Sequence, residues 1–404
     1  MSSATDRSKK LLIDYLSQFI QIRSRSSASG GEEGRLQKVI AEHMMRLGAR
    51  VRTFEASDIP EFQKHPLCHG PARNYSNRPT IIAELGPNNG PALLILAHSD
   101  TVQVFEPERW TVDPFCGQSR EGSIYGLGAS DDKWGLASML VLMQAVRESK
   151  KSLKKKLIFA STIDEENGVG NGTLLLLLAG IKAEAALYLD GRGMVVNIGC
   201  LGGSNLYLRP KGTIKTQDLA GDTDMLADAC KTLSQKRAPL FERPLFYHNF
   251  AKDCSAQAIT RTDDLGTFIL VPFYTLPGED EASFCKQLEV IVDNVLGERA
   301  SAYSKSYRQP WFEPALVPAE LPLVKHLAAN CVEVLRREPC ITTISKQDSF
   351  VLTNHAGIPT VSFGPSSRIN GPGANHNPDE RLDITEFWDG FQIAKATVFD
   401  WLNN

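Results

Sequence analysis

Ala92-Leu-Leu-Ile-Leu-Ala-His98-Ser-Asp100 decides the fold, because six apolar residues in a row end abruptly on an imidazole and a carboxylate. A short apolar run without alternation is the pattern of a strand buried on both faces, as inside a parallel sheet. The pattern recurs. Leu157 to Ile163 runs into Asp164-Glu165-Glu166, Ala185 to Leu189 runs into Asp190, and Thr80 to Leu85 and Thr360 to Phe363 are further runs of the same kind. Before Leu157 lies Trp134 to Arg147, apolar nearly all round, which predicts a buried helix. Two earlier stretches have helical spacing: Leu11, Leu12, Tyr15, Leu16, Phe19 and Ile20, then Leu36, Val39, Ile40, Met44 and Leu47. Ser29 with Glu32 predicts a capping box for the second helix, and Gly48 its stop. Strands alternating with helices imply an α/β fold whose sheet is mostly parallel.

Further along, the style changes. From about Asn205 to Arg308 the sequence predicts a strand through Leu208, a helix from Asp222 to Leu233, strands near Cys254 to Thr260 and Thr267 to Phe273, and an amphipathic helix with Cys285, Leu288, Val292 and Val295 on one face. Thr360 to Phe363 and a helix from Thr385 to Leu402 then resume the first style. The expected organisation is a discontinuous catalytic domain, residues 1–203 and 309–404, with a smaller α+β lid inserted at 204–308.

Composition narrows the function classes. The chain has 404 residues, with 44 Lys and Arg against 47 Asp and Glu, a net charge of -3 that disfavours nucleic acid as a partner. The longest apolar run, Leu174 to Gly180, is far shorter than the roughly 20 residues of a membrane-spanning helix. The polar stretch Met1 to Lys10 has no hydrophobic signal core, so a cytoplasmic location is expected. Eight cysteines without a CxxC pair suit reduced thiols better than a disulfide framework.

The acids and imidazoles fall at strand ends, and in open α/β sheets the crevice beyond the carboxyl ends of the strands is the usual ligand site. His98 and Asp100, Asp164 to Glu166, and Asp190 follow strands; Asp131 opens the long helix; His376 lies in the loop after the last strand. Crowded together without a cation, these groups would repel, whereas divalent metals make the cluster favourable. Two such ions would balance Asp131, Glu166, Asp190 and a bridging hydroxide. Mixed nitrogen and oxygen ligands suit zinc first, with cobalt or manganese as alternatives. Asp100 is placed to accept the second ring N–H of His98, and Glu165, beside a ligand but distinct from it, to be the general base.

The ordered set His98-Ser-Asp100, Asp113-Pro-Phe115, Tyr125-Gly-Leu-Gly-Ala-Ser-Asp131-Asp-Lys133, Asp164-Glu165-Glu166-Asn-Gly, Leu189-Asp190 and His376-Asn-Pro-Asp-Glu380 spans nearly the whole chain. It resembles the dinuclear zinc peptidase and amidohydrolase family that contains carboxypeptidase G, aminoacylase, acetylornithine deacetylase, succinyl-diaminopimelate desuccinylase and several dipeptidases. The resemblance implies that Asp131 bridges two metals, that His98 and Asp190 complete one and Glu166 and His376 the other, and that Glu165 activates the attacking water. It further implies hydrolysis of a small-molecule amide, such as an N-acyl amino acid or a small peptide-like compound, and a homodimer formed through the lid.

Two lid features depart from that pattern. The family's lid histidine, which stabilises the oxyanion, has no counterpart between Gly212 and Gly221; His248, Tyr247, Asn249 and Lys215 are the candidate substitutes. Where the family has Asp-x-Arg to clamp a substrate carboxylate, this chain has Pro272-Phe273-Tyr274, and tyrosine cannot make a bidentate clamp. The cation would then come from Arg192, Lys346 or Arg368, or the substrate would lack a free α-carboxylate. Asp348, Gly373 and Asn375 are further candidates for the substrate side. The alternatives are an aminohydrolase acting on a non-peptide amine or amide, and a catalytically impaired, metal-stabilised binding protein.

Overall fold

The computed structural model describes residues 4–27, 29–70, 72–150, 152–168, 170–241, 256–263, 266–307, 311–343, 346–366, 368 and 371–403. The chain divides into two compact units: Met1–Ile198 with Val317–Ile341 and Val351–Asn404, and Gly199–Leu316 with Thr342–Phe350.

The first unit is built on β1 (Arg50–Phe54), β2 (Thr80–Leu85), β3 (Ala92–His98), β4 (Lys156–Thr162), β5 (Ala185–Tyr188), β6 (Val196–Asn197), β7 (Ile341–Thr342) and β8 (Thr360–Ser362), in the spatial order β7-β6-β8-β5-β3-β4-β2-β1. The four inner strands β8, β5, β3 and β4 are parallel, and antiparallel pairs flank them. Every residue of β3 is buried, as a strand with covered faces requires. The fold is the α/β class expected from the apolar runs.

Helices cover the sheet: α1 (Ala4–Ile20), α2 (Gly34–Arg46), α3 (Lys133–Glu148) and α4 (Ile384–Asn403). Gly135 lets α3 approach closely, since a Cβ there would lie 2.9 Å from Ala97 Cβ and 3.0 Å from Leu189 Cβ. The expected capping box at Ser29 and Glu32 does not form. Glu33 occupies the N-cap of α2 without a capping bond, its carboxylate being drawn instead to Arg78. Gly48, at φ +78, follows the end of α2 as expected.

The second unit has a four-stranded antiparallel sheet in the order Ile259–Asp263, Gly266–Pro272, Asn205–Pro210, Tyr303–Tyr307. Two helices, Thr216–Phe241 and Glu281–Leu296, share its core of Leu206, Leu208, Ile269, Val271, Phe273, Leu226, Leu233 and Leu288. The first helix is longer than its apolar stripe, and the strand expected near Cys254 begins at Ile259; residues 254–255 lie outside the described residues. The second helix buries Phe284, Leu288, Val292 and Leu296, while Cys285 and Val295 lie at the margin of that face. Thr342–Phe350 belongs with this unit because Phe350 packs edge-on against Phe312 and the Lys346 ammonium lies 4.7 Å from the Tyr274 ring centre.

Gly135→Ala should push α3 off the sheet and destabilise the first unit by about 1–3 kcal/mol. Urea denaturation followed by tryptophan fluorescence measures it, and an unchanged midpoint contradicts the close approach.

Candidate metal centre and catalytic residues

Parallel strands share one polarity, so β3, β4, β5 and β8 deliver their last residues to one edge of the sheet. His98 ends β3, and its Nε2 lies 3.0 Å from Asp131 Oδ1. The other oxygen, Asp131 Oδ2, lies 3.2 Å from His376 Nε2, which is also 2.8 Å from Glu166 Oε1. Ligand atoms of His98, Asp131 and Glu166 all lie within 4.8 Å of one another. One carboxylate with an imidazole at each oxygen has the donor arrangement of a bridge between two cations, so these residues fit a dinuclear site. Asp190 follows β5; burial raises the pKa of Asp132 well above the ordinary range, and the Asp190 charge adds to the rise.

Electrostatics shows the demand for positive charge. Burial disfavours a charged His98, yet the neighbouring carboxylates of Asp100 and Asp131 outweigh burial and hold its pKa well above the usual imidazole value. Asp131 is the mirror case: burial opposes its charge, but His376 and His98 hold its pKa well below the ordinary range. Glu166 is raised, chiefly by burial. Divalent cations supply the same compensation with more charge per site.

Asp100 does more than the sequence suggested, and differently. The nearest acceptor to His98 Nδ1 is the Asp100 main-chain carbonyl at 3.1 Å; the carboxylate oxygen is 3.6 Å away. That carboxylate instead accepts the N–H groups of Glu165 and Glu166, each at 3.0 Å, and so fixes the first turn of the short helix Glu165–Gly168. One residue therefore orients the His98 ring through its backbone and the two glutamates through its side chain.

Two residues expected on the substrate side, Asn375 and Gly373, lie in the His376 loop. The Asn375 amide donates to Asp131 Oδ2 at 2.9 Å and accepts from Ser130 Oγ at 2.7 Å, which orients the Asp131 carboxylate. Gly373, at φ +88, shapes the His376 loop, where a Cβ would sit 2.7 Å from Arg381 Nη1. In the second unit, the Tyr274 carbonyl accepts from Arg237 at 2.8 Å, and Asp348 is fully buried. His248, Tyr247 and Asn249 lie outside the described residues.

Sequence reasoning missed several positioning groups. Glu380 is fully buried and accepts Ser130 N–H and O–H, each at 3.0 Å, and His376 N–H at 3.3 Å, linking the segments that carry Asp131 and His376. Burial pushes its pKa to about 7. Asp132 accepts His98 N–H at 3.1 Å. Lys133, also fully buried, donates to the carbonyls of Phe19 and Ile22 at 3.0 and 2.9 Å, and ties the start of α3 to the end of α1. Glu380 and Lys133 sit inside quoted motifs, which was their one signal. Ser130 for Glu380, and Phe19 and Ile22 for Lys133, are remote partners that no spacing reveals. Glu380→Ala should weaken metal affinity by about 10–100-fold, as loss of a group that orients ligands commonly does. Competition with a chelator measures this, and unchanged affinity removes the role.

The model of Peptidase family M20/M25/M40 matches residues 94–400. Over 99% of its length the chain is 24% identical to N-formyl-4-amino-5-aminomethyl-2-methylpyrimidine deformylase of Bacillus subtilis, covering 97% of that protein. It is 35% identical over 113 residues, 28% of this chain and 29% of the relative, to succinyl-diaminopimelate desuccinylase of Leptothrix cholodnii. The structure is similar in fold to a dipeptidase of Saccharomyces cerevisiae, with TM-score 0.72, 14% identity and 100% of each chain covered. A family match over three-quarters of the chain, together with the cluster of imidazoles and carboxylates at the sheet edge, makes this chain a member of peptidase family M20/M25/M40 and an enzyme of the metal-dependent hydrolase type.

Proposed function

We propose that the protein hydrolyses the amide of an N-formyl or other short N-acyl amine that lacks a free α-carboxylate, using two divalent metal ions, zinc first. The observation that carries the chemistry is the Asp131 carboxylate shared between His98 and His376, with Glu166 alongside. His98, Asp131, Glu166, Asp190 and His376 would hold the ions. Divalent cations at such a site supply Lewis-acid polarisation of a carbonyl and acidification of water. Glu165, whose N–H is held by Asp100, takes the proton of the attacking water and returns it to the departing amine.

Two features support the choice of substrate. The end-to-end relative is named as a deformylase of an aminomethylpyrimidine, an amine without an α-carboxylate. Tyr274 stands where a carboxylate clamp would need arginine, and the nearby Lys346 ammonium is seated over its ring, 4.7 Å from the centre. The partial match to desuccinylases favours a second reading, an N-acyl amino acid. The inserted unit is the proposed homodimer contact, supported by exposed Met225, Leu240 and Val290 on its two helices. Sedimentation velocity reads this directly, and a monomer at micromolar concentration rejects it. Among the described residues no helix is long and apolar enough to cross a membrane.

A substrate panel separates the two readings. N-formylbenzylamine and a formylated aminomethylpyrimidine, set against N-acetyl and N-succinyl amino acids, are assayed for amine release with zinc, cobalt or manganese. Turnover of the formyl amines is expected; turnover of the amino acid derivatives alone rejects the substrate class. Glu165→Ala should keep the metal content and lower turnover by about 10²–10⁴-fold, whereas His98→Ala with His376→Ala should lose the metal on dialysis. An undiminished rate in Glu165→Ala rejects the base.

A further inference from the structure

Among the described residues a second acidic trio, Glu33, Asp100 and Asp164, brings carboxylate oxygens within 4.8 Å of one another. Its positive charge is already present. Arg78 forks onto Glu33 with bonds of 2.7 and 2.6 Å and reaches Asp164 Oδ1 at 3.0 Å, while Arg73 pairs with the same oxygen. All four side chains are at most 4% exposed, so the two acids and two guanidinium groups balance in a dry interior. A buried carboxylate that lost such a partner would be left uncompensated.

Asp164 is the hub. Beyond the arginines, its carboxylate accepts from Ser26 Oγ at 2.6 Å, Tyr75 Oη at 2.9 Å and Asn171 Nδ2 at 3.2 Å. Its backbone sits at φ +63, the left-handed region that a non-glycine residue occupies only when its surroundings hold it there. The next two residues are Glu165 and Glu166. Their turn closes back over the hub: Gly168 N–H donates to the Asp164 carbonyl at 2.9 Å, a Cβ on Gly168 would lie 2.5 Å from Asp164 Oδ2, and Arg73 Nη1 donates to the Asn167 carbonyl at 3.4 Å. Arg73 therefore holds both ends of the turn, the Asp164 carboxylate and the Asn167 carbonyl.

We propose that Arg73, supported by Arg78, is a positioning residue for Glu165: the guanidinium groups pin Asp164, and Asp164 with the Asn167 carbonyl sets the turn that presents Glu165 and Glu166. The hydrogen bonds of both arginines go to Glu33, Asp164, Ser26 and the carbonyls of Asn74 and Asn167, and not to His98, Asp131, Glu166 or His376. The proposal rests on the assignment of Glu165 as base only for its catalytic consequence, because the mechanical part concerns the turn alone. A displacement of about 1 Å in a catalytic group is enough to cost a hundredfold in rate.

The test is hydrogen exchange, read by mass spectrometry on the full chain without added metal. In Arg73→Ala the peptide covering Glu165–Gly168 should exchange at least about tenfold faster, while the buried strand Lys156–Thr162 keeps its protection. Unchanged exchange in the turn, or equal acceleration of turn and strand, overturns the proposal. Should Arg73→Ala fail to fold, Arg73→Lys decides the matter. It keeps the charge but loses the fork, so a smaller acceleration confined to the turn is expected, and none overturns it. With N-formylbenzylamine as probe and the metal supplied in excess, kcat should fall about 10–100-fold in Arg73→Ala at unchanged KM, with partial recovery in the Lys variant. A variant that loosens the turn yet keeps kcat, beside a Glu165→Ala that also keeps it, rejects Glu165 as base and leaves the positioning intact.

Discussion

The first unit depends on neutralising carboxylates that its sheet buries at one edge. A buried carboxylate without compensation costs several kcal/mol, and this edge carries Asp100, Asp131, Asp132, Asp164, Glu166 and Glu380. Each meets the problem differently. Asp131 and Glu166 draw on imidazoles, Asp164 on two guanidinium groups, Asp100 on a pair of main-chain N–H groups, Asp132 on the His98 N–H, and Glu380 on Ser130 and the His376 N–H. The division of labour follows from the partners. Guanidinium groups satisfy Asp164 permanently, whereas imidazoles leave the Asp131 and Glu166 oxygens available to a divalent cation.

That sorting separates the scaffold from the reactive part of the edge. The trio Glu33, Asp100 and Asp164 resembles a metal site in composition alone, since arginine already pairs with Glu33 and Asp164, and main-chain N–H groups with Asp100. The trio His98, Asp131 and Glu166 differs in having nitrogen donors and carboxylate oxygens directed toward one point. Glu165 stands at the junction of the two, with Asp164 before it and Asp100 bound to its N–H. Groups with fixed partners thus hold Glu165, the proposed base, an arrangement suited to general base chemistry.

The second unit is held by other means. Its core is apolar, with sheet residues Leu206, Leu208, Ile269 and Val271 meeting the helix residues Leu226, Leu233, Phe284 and Leu288. Beside that core the Lys346 ammonium lies over the Tyr274 ring. An ammonium over an aromatic ring can still recognise polar or aromatic ligands, but it lacks the planar fork that selects a carboxylate.

Much of the first unit was legible in the sequence. Apolar runs such as Ala92 to Ala97 have one stable environment, a strand covered on both faces, and the acids that end them mark the edge where ligands bind. The helix Trp134 to Arg147, apolar nearly all round, could only be buried, and it is. Periodicity was weaker where polar residues decide: the helix at Thr216 extends well past its apolar stripe, and Ser29 with Glu32 gave a capping signal that the attraction between Glu33 and Arg78 overrides. What the sequence determined by itself was the set of chemical groups and their assignment to strand ends, because both depend on local pattern. Only the tertiary structure decided which groups touch: that Asp131 divides its oxygens between His98 and His376, that Asn375 serves that carboxylate, and that Arg73 and Arg78 lie beneath Asp164. These pairings join residues up to 245 positions apart, as Asp131 and His376 are, and the electrostatic balance of a buried edge selects them without leaving a trace in spacing.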